Sequence, residues 1–500
     1  MPTDSFASDS AVQLAQTVWV RETVRMDLSS RSGSGQTSRV AAAIRGRIAA
    51  RALSPGARLP SIRRFAKAMA VSASTVVEAY ERLVAEGLIQ SRPGSGFYVT
   101  RAPQPLALAD IGPRLERAVD PFWVSRQSLE AGGSVAKPGC GWLPPDWMPQ
   151  EELRRAVRVL ARADGATLTE YGSPLGHPQL RQLLSHRLSE HGVAAPPAQI
   201  MLTESGTQAV DMLCRLLVEP GDTVLVDDPC YFNFLALLRA HRVKIIGVPW
   251  TTVGPDLDVF QTAMREHRPR LYITNCGLHN PTGATISPAT AHRLLSLSQQ
   301  TGLTIIEDDI FSDFCHEPAP RLAALDGLER VIQVGSFSKT LTAATRCGYI
   351  AAGPEWIERL VDLKIATTFG GNPVAAELVH AVLRDGSYRR HLGGLRDRLS
   401  RARAEVGVSL DALGIRPWVE PRGGMFLWCA LPEGLDAAEV ARRALVEDVV
   451  LAPGNVFSVS QSARGFMRFN VAQCSGNPSI FRVLARAMNG AAAASGSAGD

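Results

Sequence analysis

The chain has 500 residues, 45% of them apolar, which is too long for one ordinary domain and apolar enough for substantial cores. Its net charge is only +5, yet residues 36–101 hold 11 Lys and Arg against 3 Asp and Glu, while residues 102–500 are nearly balanced at 39 against 41; an excess so confined suggests a polyanion partner for that segment alone. No membrane-length apolar run or leader is read in it, and its 8 cysteines show neither C-x-x-C pairs nor a zinc spacing, so a membrane protein, a disulfide scaffold and a metal site are not expected, and a reducing cytoplasm is.

In chain order, residues 1–35 are Ser-rich and weakly periodic, a flexible start with helical spacing over 12–26. Val40, Ile44 and Ile48 then recur at helical spacing and predict a first helix over 38–52, closed by the turn Leu53-Ser54-Pro55-Gly56. Pro60-Ser61 opens a second helix reaching Met69, with Phe65 and Met69 inward. After the short turn Ala70-Val71-Ser72, Ser72 or Ser74 caps a third helix with Val76, Val77, Tyr80, Leu83 and Val84 as its apolar face. Leu88-Ile89, the turn around Gly94-Ser95-Gly96 and Phe97-Tyr98-Val99 read as a β-hairpin. Two helices about a tight turn plus a hairpin make a winged helix-turn-helix over 36–101, a small α+β unit whose second helix of the pair enters the major groove of double-stranded DNA.

Residues 102–135, with Pro103, Pro105, Pro113, Pro121 and Gly132-Gly133, read as a linker with local docking at 115–119 and at Phe122-Trp123. From 136 to 490 apolar runs alternate with helical patterns, and each run ends in chemistry. Ile200-Met201-Leu202-Thr203 leads to Glu204-Ser205-Gly206-Thr207-Gln208 at a helix start, a phosphate cradle built of free amides and the helix dipole. Thr223-Val224-Leu225-Val226 leads to Asp228-Pro229-Cys230-Tyr231, and Leu271-Tyr272-Ile273-Thr274 to His279-Asn280-Pro281-Thr282-Gly283. Leu303-Thr304-Ile305-Ile306 leads to Glu307-Asp308-Asp309, and Val331-Ile332-Gln333-Val334 to Ser336-Phe337-Ser338-Lys339, with Arg346 in Thr345-Arg346-Cys347-Gly348-Tyr349. A strand-end lysine among phosphate-sized donors suits a Schiff base with an aldehyde cofactor, and a buried acid suits a pyridinium nitrogen. The Ala/Gly/Ser-rich residues 489–500 are expected to be disordered, with the tail proper at 491–500.

Taken together these motifs resemble the fold-type-I aminotransferases that use pyridoxal 5′-phosphate, a large α/β fold, over about residues 136–490. The resemblance implies that Lys339 links covalently to the cofactor, that Asp308 pairs with the ring nitrogen, that Asn280 bonds the ring oxygen and that Tyr231 stacks on the ring. It assigns Thr207, Gln208, Ser336 and Arg346 to the phosphate, counts Gly206 and Ser338 among the cofactor-binding residues, and gives Tyr171 to the phosphate of a partner subunit and Arg468 to a substrate carboxylate. The family often has a tyrosine two or three residues after the aspartate; here Ile310 and Phe311 stand there, which puts efficient turnover in doubt. The stretch from Leu53 to Arg63, with Val71-Ser72-Ala73-Ser74-Thr75-Val76, resembles the GntR-type DNA-binding domain. It implies DNA contacts from Arg63, Ser74, Thr75 and the wing Gly94, Ser95 and Gly96, with Ala73 where the family commonly has arginine. The two halves together resemble the MocR subfamily of GntR regulators. The expectation is a homodimeric, cytoplasmic DNA-binding regulator that senses an amino compound or the cofactor; an active aminotransferase with an accessory DNA-binding arm is the competing expectation.

Overall fold

The computed structural model describes residues 35–49, 53, 56–100, 121–130, 132–163, 165–317 and 319–496. The expectations for residues 1–34, for 115–119 and for the end of the first helix at 50–52 lie outside them. The chain divides into two compact units, 1–114 and 115–500.

The first unit is α1 (Gln36–Ala49), α2 (Ile62–Met69), α3 (Ala73–Ala85) and a hairpin of β1 (Ile89–Arg92) and β2 (Gly96–Val99). Capping explains the tight turn. Ser61 accepts from Arg64 N to open α2, Ala70 takes a left-handed φ of 51° to end it, and Ser72 accepts from Thr75 N at 3.1 Å to open α3. Val40, Ile44, Phe65, Val76, Tyr80 and Leu83 form the core, and the Tyr80 hydroxyl donates to Pro60 O at 3.0 Å. Val77 and Val84, expected inside, flank that face and are partly exposed, because 76, 80 and 83 already fill the narrow stripe a short helix can bury. The hairpin pairs Ile89 with Val99 and Arg92 with Gly96. Residues 56–59 lie along it, with Gly56 N donating to Val99 O and Leu59 N to Phe97 O.

The first described element of the second unit is α4 (Pro121–Glu130), so the end of the expected linker is a helix, and Trp123 is buried in the core as the docking expectation required. An eight-stranded sheet follows, in the order β3 (Ile200–Thr203), β10 (Gly348–Ala351), β9 (Val331–Ser336), β8 (Thr304–Asp308), β7 (Leu271–Thr274), β4 (Thr223–Asp228), β5 (Lys244–Thr251) and β6 (Gly254–Pro255). The strands from β9 to β5 run parallel, while β10 is antiparallel to both its neighbours and β6 to β5. All four residues of β3 and of β7 are buried, as expected of strands covered by helices on both faces. Among those helices are α5 (Gly206–Leu217), directly after β3, and α6 (Phe232–Ala240), directly after the β4 loop. Parallel strands place their carboxyl ends together, which is where an open α/β sheet holds its ligand.

A four-stranded antiparallel sheet of β11 (Arg416–Pro417), β12 (Phe426–Ala430), β14 (Phe466–Asn470) and β13 (Ala452–Pro453), in that order, has its own core. The last helix, Pro478–Gly496, corrects the expected tail. It runs past residue 490 and buries Ala491 behind Ile480, Leu484, Ala487 and Met488, because alanine is the strongest helix former and simply continues the apolar stripe. No described helix is long and apolar enough to cross a membrane.

Candidate functional site

Lys339 lies three residues beyond β9 and lines a cavity of about 360 Å³ at the carboxyl ends of the strands. Its ammonium donates to Gly141 O at 2.8 Å, and burial holds its pKa down to about 8. Asp308, the last residue of β8, lines the same cavity. Burial pushes its carboxyl up to about 7, against the pull of the Ile310 N–H on its Oδ1. Tyr231, Gly206, Thr207, Ser336, Ser338 and Arg346 also line it. At the start of α5, Ser205 accepts from Gln208 N, and Ala209 N bonds Ser205 O. The amides of Gly206 and Thr207, at the positive end of the helix, are thereby left for an anion. Ser336 and Ser338 sit 3.0 Å apart at their hydroxyls, and Arg346 holds a left-handed φ of 49° beside them. The backbone is close-packed here. A Cβ on Gly348 would fall 2.8 Å from Ser205 C and 2.9 Å from Gly206 N.

Four of the expected residues lie off the cavity lining: Gln208, Tyr171, Arg468 and the buried Asn280, whose Oδ1 is taken by Arg468. The Gln208 side chain folds back to accept from Glu204 N at 2.7 Å, stabilising its own helix start instead of facing the cavity. Tyr171 is 81% exposed, its ring 5.0 Å from that of the exposed Phe369, away from the cavity lining. Arg468, in the middle of β14, is wholly buried behind the cavity wall. Its Nη1 donates to Asn280 Oδ1 at 2.7 Å and its Nη2 to Gly139 O at 2.8 Å, its Nε has no partner, and it faces the Phe426 ring at 4.1 Å. No described carboxylate pairs with it, and burial lowers its pKa to about 10. Both cations face Gly141: a Cβ there would lie 3.8 Å from Lys339 Nζ and 4.0 Å from Arg468 Nη2.

In the first unit Arg63 is exposed on the first turn of α2, Ser74 is exposed on the first turn of α3, and Thr75 beside it is half-buried. The Ser72 hydroxyl lies 2.8 Å from both the Ser74 and Thr75 hydroxyls. Gly94 and Gly96 take positive φ values of 71° and 103° at the hairpin tip, where Ser95 bonds the Tyr98 hydroxyl and Arg92 covers the Tyr98 ring. Helix start and wing are thus both preformed and at least partly solvent-facing.

The family model for class I and II aminotransferases matches residues 143–479, and that for the bacterial regulatory proteins of the gntR family matches residues 36–99. The uncharacterized HTH-type transcriptional regulator YdcR of Escherichia coli is 31% identical over 86% of this chain and 93% of its own length. The HTH-type transcriptional regulator NorG of Staphylococcus aureus is 26% identical over 81% and 94%. The chain is a GntR-family regulator of the MocR type. Its larger unit is similar to LysN, an α-aminoadipate aminotransferase of Thermus thermophilus solved with N-(5′-phosphopyridoxyl)-L-leucine, at a TM-score of 0.67 and 28% identity over 76% of this chain and 96% of that one.

The cofactor of this MocR-type regulator is pyridoxal 5′-phosphate, and its residues fit the group. An amine of lowered pKa, a carboxyl of raised pKa and an unclaimed helix N-terminus surround one cavity. Lys339 would hold the aldehyde carbon, Asp308 the ring nitrogen, and Gly206, Thr207, Ser336, Ser338 and Arg346 the phosphate; the bound ring would supply an electron sink. The chain itself supplies order. Asn275 was missed in the sequence, yet its amide donates to the Asp308 carbonyl and its Oδ1 accepts from Asn280 N at 2.9 Å, tying the β8 end to the Asn280 loop. Its only sequence signal was its place right after a buried strand. The structure also brings together His177, Glu377 and His380, far apart in sequence. His177 Nδ1 accepts from Leu180 N, so the neutral ring carries its proton on Nε2, 2.8 Å from Glu377. That leaves the His177 ring no free lone pair for a metal, while His380 Nδ1 has no hydrogen-bond partner.

Proposed function

We propose that this regulator senses an amino acid at its cofactor site and changes its affinity for an operator in response. The observation that carries this is Arg468, a fully buried guanidinium without a counter-ion, one glycine away from Lys339. A buried unpaired cation is costly and is tolerated where an anionic ligand completes it. A planar fork suits an α-carboxylate. To meet it, the carboxylate displaces the Gly139 carbonyl from Nη2. Ile310 lines the cavity where relatives often carry a hydroxyl, which favours a binding response over sustained turnover. Arg63, Ser74, Thr75 and the wing residues Gly94, Ser95 and Gly96 contact DNA in this reading, and a DNA partner places the protein in the cytoplasm. The protein works as a homodimer, since the exposed Tyr171 reaches a phosphate only across a subunit boundary.

The test titrates amino acids into the full-length holoprotein, reading the cofactor absorbance band and the affinity for a promoter fragment. Arg468→Ala should lose the response by more than tenfold in concentration, and Arg468→Lys should restore it only in part. An unchanged titration in Arg468→Ala would remove the carboxylate reading and leave the cofactor itself as the effector.

A further inference from the structure

α4 presents four residues to the cavity, Val124, Ser125, Ser128 and Leu129, spaced as one face of a helix. The helix is anchored by Trp123 and Val124, which are buried in the same core as Phe232 of α6. Ser128 is 1% exposed and its hydroxyl has no hydrogen-bond partner. A helical serine ordinarily turns back to the carbonyl four residues earlier. A buried hydroxyl left unmatched is unfavourable, and on a cavity wall its natural partner is a ligand atom.

The charge of the wall narrows that ligand. Among the described lining residues the charged side chains are Asp308, Lys339 and Arg346, each of which serves the cofactor. Among this subunit's described lining residues no further cation remains for a second carboxylate, and no further acid for a side-chain amine. The remaining polar groups are hydroxyls and amides, including Ser125, Ser128 and Asn233, beside the apolar Leu129 and Leu237.

We propose that α4 is the specificity element of the effector site, and that Ser128 with Ser125 binds the uncharged hydroxyl or amide side chain of the amino acid. This rests on the amino-acid reading above and names its substrate class. Binding would fix α4, the first described element after residues 101–120 of the chain.

The experiment titrates full-length holoprotein with L-serine, L-threonine, L-glutamine, L-glutamate, L-2-aminoadipate, L-lysine and L-alanine, following the cofactor band and the heat of binding. At least one hydroxyl or amide amino acid should act at a tenfold lower concentration than the acidic and basic ones. Ser128→Ala should weaken that ligand by roughly 3- to 10-fold, the worth of one net hydrogen bond, and leave alanine unchanged. Its melting temperature should not fall, because the hydroxyl makes no bond in the free protein. Ser125→Ala provides a second, half-buried position with little influence on folding. Acidic amino acids binding as tightly as neutral ones, or Ser128→Ala weakening every ligand equally, would overturn the assignment alone. Silence toward all seven would overturn it together with the amino-acid reading.

Discussion

Lys339 and Asp308 are each buried against their charge, in opposite senses, and both can be titrated. The free amine is the nucleophile, so cofactor loading of stripped protein should accelerate roughly tenfold per pH unit up to about 8, where the Lys339 amine is half neutral, and level off above it. Stopped absorbance readings across pH 6–9 check this. Lys339→Ala should abolish the borohydride-reducible link and retain weaker, phosphate-mediated binding. For Asp308 the folded pKa of about 7 lies above the ordinary 3.8. The parent protein therefore loses stability as pH rises from about 4 to 7, and an amide does not titrate. Cofactor-free Asp308→Asn should then match the parent near pH 4 and exceed it at pH 8 by roughly 2–4 kcal/mol, as three pKa units allow. Melting curves at the two pH values decide it. Residues of this kind were legible because their chemistry sits at strand ends, in family order. Gln208 was misplaced because its amide serves equally well as a local helix stabiliser, a choice the motif does not encode. Asn275 is invisible in the sequence because its contact is with the end of a strand 33 residues away.

At the scale of elements, capping residues were the most reliable guide. Ser61 caps its helix, and of the two candidates Ser72 and Ser74 it is Ser72 that caps the next. Ser72 carries more than a cap, since its hydroxyl also orders Ser74 and Thr75. Ser72→Ala should cost about 1 kcal/mol of unfolding free energy in the small unit and weaken DNA binding more than that loss explains. Chemical denaturation beside a fluorescence-anisotropy titration separates the two. What composition hides is the tail, where an Ala-rich run reads as disordered although the preceding stripe Ile480, Leu484 and Met488 extends straight into it. The linker misled for a related reason. Its prolines and glycines are real, but Trp123 supplies enough apolar surface to seat a helix among them.

For the whole molecule, the division of labour follows charge. Removing residues 1–101 should abolish promoter binding, and intact protein should lose affinity steeply with salt because its contacts are largely to phosphate. Arg63→Ala should cost about 1–3 kcal/mol if that side chain reads a base edge, and Ala73→Arg should tighten binding at the position where relatives carry the arginine. Electrophoretic titrations from low to physiological salt test all three. The tight passage of β10 beneath the start of α5 offers a different kind of handle. At Gly348 a methyl group would run into the Ser205–Gly206 backbone and the Gly335 carbonyl. Gly348→Ala would spoil the anion seat while touching neither the lysine nor any surface that meets DNA. Such an allele would report in living cells what the genes under this regulator do when its cofactor is abundant but unseen.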